Sequence, residues 1–322
     1  MAFINSQTKK ETQLPNLKVE KKPTIANTFK RDYQLWLMIL PAIICVIIFN
    51  YIPMYGIQLA FREYNFAAGL TGGEWVGLKY FYQFIESHMF GDLIRNTLLI
   101  SLATIIVGFP APIILALLIN QITFKRAKRV LQTTVYLPHF ISIVVLVGLL
   151  NVLLSPNTGI IGHFLNVVGL GNVNLLASVN AFIPVYVLSD VWQHVGWNSI
   201  IYLAALAGVD PQLYDSAKID GASRWQIIRN VEIPAIIPTI IILLILNMGT
   251  IISTGFEKIY LMQNTLNLPI SEVIETYVYK VGIMSNQFSY AAAIGLFNTL
   301  INFSLLVMVN YIAKRTSKIS LW

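Results

Sequence analysis

Charge is what this sequence has least of. Only 11% of its 322 residues are charged, against about a quarter in soluble domains, while 56% are hydrophobic. That balance excludes one large or two modest water-soluble domains. Cysteine occurs once, at Cys45, so neither an intramolecular disulfide nor a cysteine-based metal cluster is possible. Phosphate-cradling glycine runs of the G-x-x-x-x-G-K-[ST] type are absent, and the nearest glycine pair, Gly169 and Gly171, follows no soluble strand. The four histidines (His88, His139, His163, His194) are scattered, without metal-ligand spacing, and no serine sits in a nucleophile-elbow context. The chain is therefore expected to bind no cofactor or metal and to catalyse nothing by itself. The polar stretch up to Asp32 and the long apolar run after it do not fit a cleaved signal peptide.

What is present in quantity is apolar sequence, in blocks long enough to cross hydrocarbon, which takes about 20 helical residues. Backbone amides in lipid must bond internally, so each block has to be a helix or part of a closed barrel, and strict in/out alternation is missing. An all-α polytopic membrane helix bundle follows. Six spans are predicted: Tyr33–Met54, Thr97–Asn120, Thr133–Ser155, Phe182–Leu206, Ile233–Thr254 and Tyr290–Ala313. Their internal prolines (Pro41, Pro110, Pro112, Pro138, Pro184, Pro238) predict kinks satisfied by neighbouring helices.

Orientation is read from Lys and Arg in the flanks. The N-terminal tail, the connection Lys125–Arg129, the connection with Lys218, Arg224 and Arg229, and the C-terminal tail together hold 17 of the 22 cations. The other side holds Arg62, Lys79, Arg95, Lys258 and Lys280. The heavy side is expected to be cytoplasmic, with both termini there, and the net charge of +7 is expected to meet anionic lipid, not nucleic acid. Residues 1–30 form a Lys-rich, patternless tail expected to be disordered, and residues 31–322 a single membrane domain. The outer segment Tyr55–Asn96 is rich in aromatics (Tyr64, Phe66, Trp75, Tyr80, Phe81, Tyr82, Phe84), which suit either a structured cap or an interfacial belt.

The connection over residues 207–233 carries local structure of its own. Asp210 before Pro211 reads as an N-cap with proline at the first helical position, opening a helix Pro211–Ile219 that Gly221 breaks. Ser223-Arg224-Trp225-Gln226 then reads as a capping box. The result is a helix–turn–helix elbow whose turn (Tyr214, Asp215, Ser216, Ala217, Asp220, Gly221, Ala222, with Arg224 beyond) is acidic and small. Such a surface suits a protein groove offering Arg or Lys better than anionic lipid. An amphipathic connector lying at the headgroups is the alternative.

Those residues, followed by Ile233-Pro234, resemble the cytoplasmic loop of permease subunits of binding-protein-dependent ABC importers. That family's pattern is Glu-Ala-Ala, three residues, Gly, and a downstream Leu-Pro. Asp215 stands where Glu is usual, Ser216 replaces the first Ala, and Ile233 replaces Leu. Tyr51-Ile52-Pro53-Met54-Tyr55-Gly56, Gly108–Pro112, Tyr136–Ser142, Tyr202–Gly208, Gly255-Phe256-Glu257-Lys258 and Ser320-Leu321-Trp322 are similar to the oligo- and polysaccharide branch of the maltose-type permeases, which includes alginate and pectin-fragment importers. The resemblance implies a type I ABC importer permease fold. It also implies a second, homologous permease, two ATPase subunits that bind ATP and Mg, and an extracytoplasmic solute-binding protein.

Within the fourth predicted span, Asp190, Gln193, His194, Trp197 and Asn198 fall at i, i+3, i+4, i+7 and i+8, one helical stripe. An ionised Asp at mid-membrane costs at least about 2.5 kcal/mol, so it should face a partner or a wet cavity. Amides and an indole suit sugar hydroxyls and C–H faces; interhelical hydrogen-bond glue is the alternative. Asn151 and Asn247 on neighbouring spans are further pathway candidates. An ion-coupled secondary carrier using Asp190 is the rival function, and it requires no cytoplasmic elbow.

Overall fold

In a computed structural model, residues 32–67, 69, 72–168, 174–253 and 255–317 are described; the expected disordered tail lies outside them. The chain forms two compact units divided after Tyr55. The first carries helix α1 (Tyr33–Val46), which contains Pro41 and starts where the Asp32 carbonyl accepts from the amides of Leu35 and Trp36. A wide π turn, Ile47–Tyr51, and a helical turn, Ile52–Met54, continue it, so that Tyr33–Phe61 is one helical run.

Among its described residues the second unit builds its regular structure from helices, joined by turns and loops, with two isolated β-bridges, Arg62 to Trp75 and Asn65 to Gly69. Its helices are α2 (Lys79–Ile85), α3 (Phe90–Gly108), α4 (Pro110–Asn120), α5 (Lys125–Tyr136), α6 (Ile143–Leu153), α7 (Ile160–Val167), α8 (Val179–Ala207), α9 (Pro211–Ile219), α10 (Arg224–Ile227), α11 (Ile233–Met248), α12 (Phe256–Met262), α13 (Leu268–Ser271), α14 (Ile274–Tyr279) and α15 (Phe288–Ser317). The aromatic outer segment is folded: Phe61 stacks on Trp75 with centroids 5.5 Å apart. Ser289 at the start of α15 also bonds the backbone of both Arg62 and Tyr64.

By length and composition four helical runs can cross a membrane: Tyr33–Phe61, Phe90–Asn120, Arg224–Met248 and Phe288–Thr316. A fifth is obtained if Lys125–Phe140 and Ile143–Leu153, bent by 98° at their junction, count together. The count of six is not reached by this measure, because the 29-residue α8 carries the polar stripe that lowers its apolarity. The predicted span Thr133–Ser155, expected to kink at Pro138, is instead broken into two helices. Pro138 ends the regular helix in a 3-10 turn, Leu137–Phe140, and Ser142 starts a new one by accepting from the Val145 amide at 3.4 Å.

Helix α8 is the hub. It packs against α3, α4, α5 and α11, and its buried Phe182, Tyr186 and Val187 join Ile100, Val147, Ile259 and Met262 in one apolar core. At its other end Tyr202 and Leu206 join Ala116, Leu117, Ile228 and Ile236 in a second. Gly196 lets α8 approach the Val135 backbone of α5 so closely that a Cβ there would collide with the Val135 carbonyl oxygen.

Candidate functional site

The elbow folds as its local signals specify. Asp210 accepts from the Gln212 amide at 2.9 Å with Pro211 at the first helical position, and Gly221 takes a φ of +75°, which favours glycine. Ser223 and Gln226 form the reciprocal capping box. Asp215 is exposed and meets Lys218 at 3.4 Å, with Ser216 bonded back to its own helix. The second arm is no separate helix: α10 runs through a π turn, Ile228–Glu232, directly into α11, so Arg224–Met248 is one continuous rod.

One residue at the root of that rod escaped the sequence reading. Glu232 is fully buried, and its Oε1 accepts from Asn120 Nδ2 at 2.6 Å and Gln121 Nε2 at 2.9 Å, with the Tyr214 hydroxyl at 3.5 Å. Lys128 donates in turn to Asn120 Oδ1 at 3.3 Å. This knot ties the end of α4, the start of α5, the elbow helix α9 and the rod. Burial, and next the Glu232 carboxylate, raise the pKa of the Tyr214 phenol above its usual 10.0, so it remains a donor.

The polar stripe of α8 divides. Asp190, His194 and Asn198 line a cavity of about 230 Å³ together with Thr104, Tyr202 and Asn247. A second cavity, of about 210 Å³, is bordered by Ser101, Tyr186, Ser253 and Gly255 and shares Thr104, Ile105, Asp190 and Asn247 with the first. Asp190 thus stands where the two meet. Its carboxylate lies 3.4 Å from His194 Nδ1 and 3.4 Å from Lys258 Nζ. Lys258 is only 3% exposed, donates to the Tyr186 carbonyl at 3.1 Å and sits 4.6 Å from that ring's centroid.

Gln193 turns elsewhere: buried, it donates from Nε2 to the Ile141 carbonyl at 2.8 Å, at the break between α5 and α6. It acts as glue. Trp197 stacks on His139 with centroids 4.4 Å apart and planes 5° from parallel, and meets Phe140 edge-on. Asn151 bonds the Val147 carbonyl of its own helix and does not border either cavity. Among the described residues no group of three His, Cys, Asp or Glu could hold a metal ion.

Replacing Gln193 by Leu should lower the stability of the detergent-solubilised chain by about 1–3 kcal/mol, the range for orphaning a buried carbonyl. Thermal unfolding would show it as a reduced Tm, with the affinity for cargo unaltered in the molecules that remain folded. A changed cargo affinity at unchanged Tm would return Gln193 to the pathway.

Residues 108–318 match the family of binding-protein-dependent transport system inner membrane components. The chain belongs to that family. As an inner membrane component it transports without catalysing, ATP hydrolysis being the work of a separate subunit. It is 40% identical over 298 residues to the polygalacturonan/rhamnogalacturonan transport system permease protein YteP of Bacillus subtilis (strain 168), covering 92% of this chain and 93% of the relative. It is 39% identical over 286 residues to protein LplB of the same organism, covering 89% and 90%. Among solved structures, a chain of a bacterial ABC transporter involved in the import of the acidic polysaccharide alginate superimposes with a TM-score of 0.83 at 39% identity, covering 90% of this chain and 98% of that one. The same transporter type in complex with an alginate pentasaccharide-bound periplasmic protein gives 0.84 at 39%, covering 92% and 99%.

Proposed function

We propose that this chain is one permease subunit of an inner-membrane importer for an acidic oligo- or polysaccharide. The observation that carries the cargo class is the near full-length likeness to alginate importer chains and to a polygalacturonan permease, because both polymers are built of uronates. In this reading the backbone crosses the membrane six times, counting α8 and the bent pair, with both termini cytoplasmic as the cation distribution favours. A second, homologous permease completes the pathway, two ATPase subunits supply the work, and an extracytoplasmic binding protein delivers the sugar.

The roles follow from position. Tyr214, Asp215, Ser216, Ala217, Asp220, Gly221, Ala222 and Arg224 form the ATPase-facing elbow, supported by its acidic, exposed turn. Asp190, His194, Trp197, Asn198 and Asn247 form this chain's side of the pathway, supported by the two cavities and an exposed indole. Asn151 is a weaker pathway residue, since its amide is engaged with its own helix. Nothing observed favours an ion-coupled carrier.

The test is reconstitution: the chain, its sister permease, the ATPase pair and the binding protein in proteoliposomes. Expected is ATP-dependent uptake of an oligouronate that persists when ion gradients are collapsed. Uptake without the ATPase that disappears with the gradient would reverse the assignment.

A further inference from the structure

Lys258 stands apart from the other cations of the outer side. Its helix α12 starts at Gly255, held at φ +75°, and returns the chain into the bundle, where the ammonium is buried against α8. Its partners are the Tyr186 carbonyl, the Tyr186 ring and one carboxylate oxygen of Asp190. Asp190 alone among the charged residues borders both cavities. Asp190 therefore stands at the waist between one chamber, lined by Ser253 and Gly255, and another, lined by Ile201 and Tyr202, and Lys258, which borders neither, holds its carboxylate from behind.

Passage of a sugar through that waist requires α12 and α8 to separate there, and the two members of the pair are then left unequally. Asp190 keeps His194 Nδ1 at 3.4 Å on its own helix. Lys258 keeps only a carbonyl and a ring face, a poorly compensated site for an ammonium, and an anion entering the open waist is the partner best able to replace the carboxylate it lost. A uronate carries such a carboxylate on every sugar unit.

We propose that Lys258 is the carboxylate-selecting residue of the pathway: at the open waist it exchanges Asp190 for a carboxylate of the passing cargo, and it takes Asp190 back on closure. The inference rests on the acidic-saccharide reading above. Cargo binds only the open waist, which is the differential affinity needed for it to shift the equilibrium between states. A neutral sugar has nothing to offer in exchange, so discrimination arises without a fixed binding pocket.

The test uses the whole reconstituted complex with an oligogalacturonate or oligoalginate as cargo, and compares Lys258→Arg with the double variant Lys258→Gln/Asp190→Asn. The double variant replaces the ion pair by a neutral, hydrogen-bonding one of similar size, so no unpaired charge is left to spoil folding. Expected is uptake reduced about tenfold or more in the double variant, although it co-purifies with its partners, and restored towards wild type in Lys258→Arg. Wild-type uptake in the double variant would show the pair to be structural glue and overturn the proposal. A wild-type complex that takes up no oligouronate would overturn the cargo class first, and the role of Lys258 with it.

Discussion

Reversing the charge of Asp215, by Asp215→Lys, should reduce cargo-stimulated ATP hydrolysis of the assembled complex to its unstimulated level. The side chain is exposed at the elbow, and its sole described partner is Lys218, one turn on at 3.4 Å. Among the described residues no other contact depends on it, so membrane insertion and the yield of the solubilised subunit should match wild type. On the proposed role of the elbow the loss arises at the ATPase interface, where a lysine would replace an acid expected to face Arg or Lys. Mismatching a close charge pair between proteins costs about 2–5 kcal/mol, equivalent to thirtyfold or more in affinity. Steady-state ATPase assays with and without cargo-loaded binding protein read this directly. Full stimulation in the variant would mean the elbow is not where the motor acts.

That elbow was the most legible part of the chain, because its signals are short-range. An N-cap, a proline at the first helical position, a glycine with positive φ and a capping box all operate within about four residues. Asp210, Pro211, Gly221 and Ser223–Gln226 could therefore be assigned without knowledge of the fold. Glu232, only six residues further, was silent: its three donors come from residues 120, 121 and 214, and sequence spacing carries no trace of them.

The second large effect is expected at Glu232. Glu232→Ala removes the acceptor shared by the half-buried amides of Asn120 and Gln121 and the Tyr214 hydroxyl, and unties α4 and α9 from the rod Arg224–Met248. Each donor left unmet costs about 1–3 kcal/mol. Because the rod runs unbroken from elbow to bundle, loosening its root should let the elbow follow the ATPase without carrying the spans along. The expected result is a complex that assembles and hydrolyses ATP at a higher unstimulated rate, while cargo moved per ATP falls at least about tenfold. Equal losses in hydrolysis and uptake would indicate plain destabilisation. A Glu232→Gln variant, which keeps the accepting oxygen, should recover most of the coupling.

The pathway was half legible. Helical periodicity placed Asp190, Gln193, His194, Trp197 and Asn198 on one stripe, of which Asp190, His194 and Asn198 border a cavity while Gln193 and Trp197 meet residues 139–141. Periodicity does not say which neighbour each member meets, so Gln193 and Asp190 looked equivalent although one binds a backbone carbonyl and the other borders both cavities. Lys258 was read only as one of five outer cations, since what buries it is the return of α12 towards Tyr186, a tertiary event. The 98° break was missed for a related reason. Pro138 alone is compatible with a mild kink in a long helix; the restart at Ser142 was written in the sequence as an N-cap, but it lies inside an apolar run where a cap is not expected.

The bond from Gln193 to Ile141 also has a consequence for how the protein is made. The carbonyl at the break is released by one segment and satisfied by another synthesised some fifty residues later. A nascent chain ending before α8 would present that oxygen to hydrocarbon, at a cost of several kcal/mol. Lys125–Leu153 and α8 are therefore expected to enter the lipid together, α8 completing what the earlier segment leaves open.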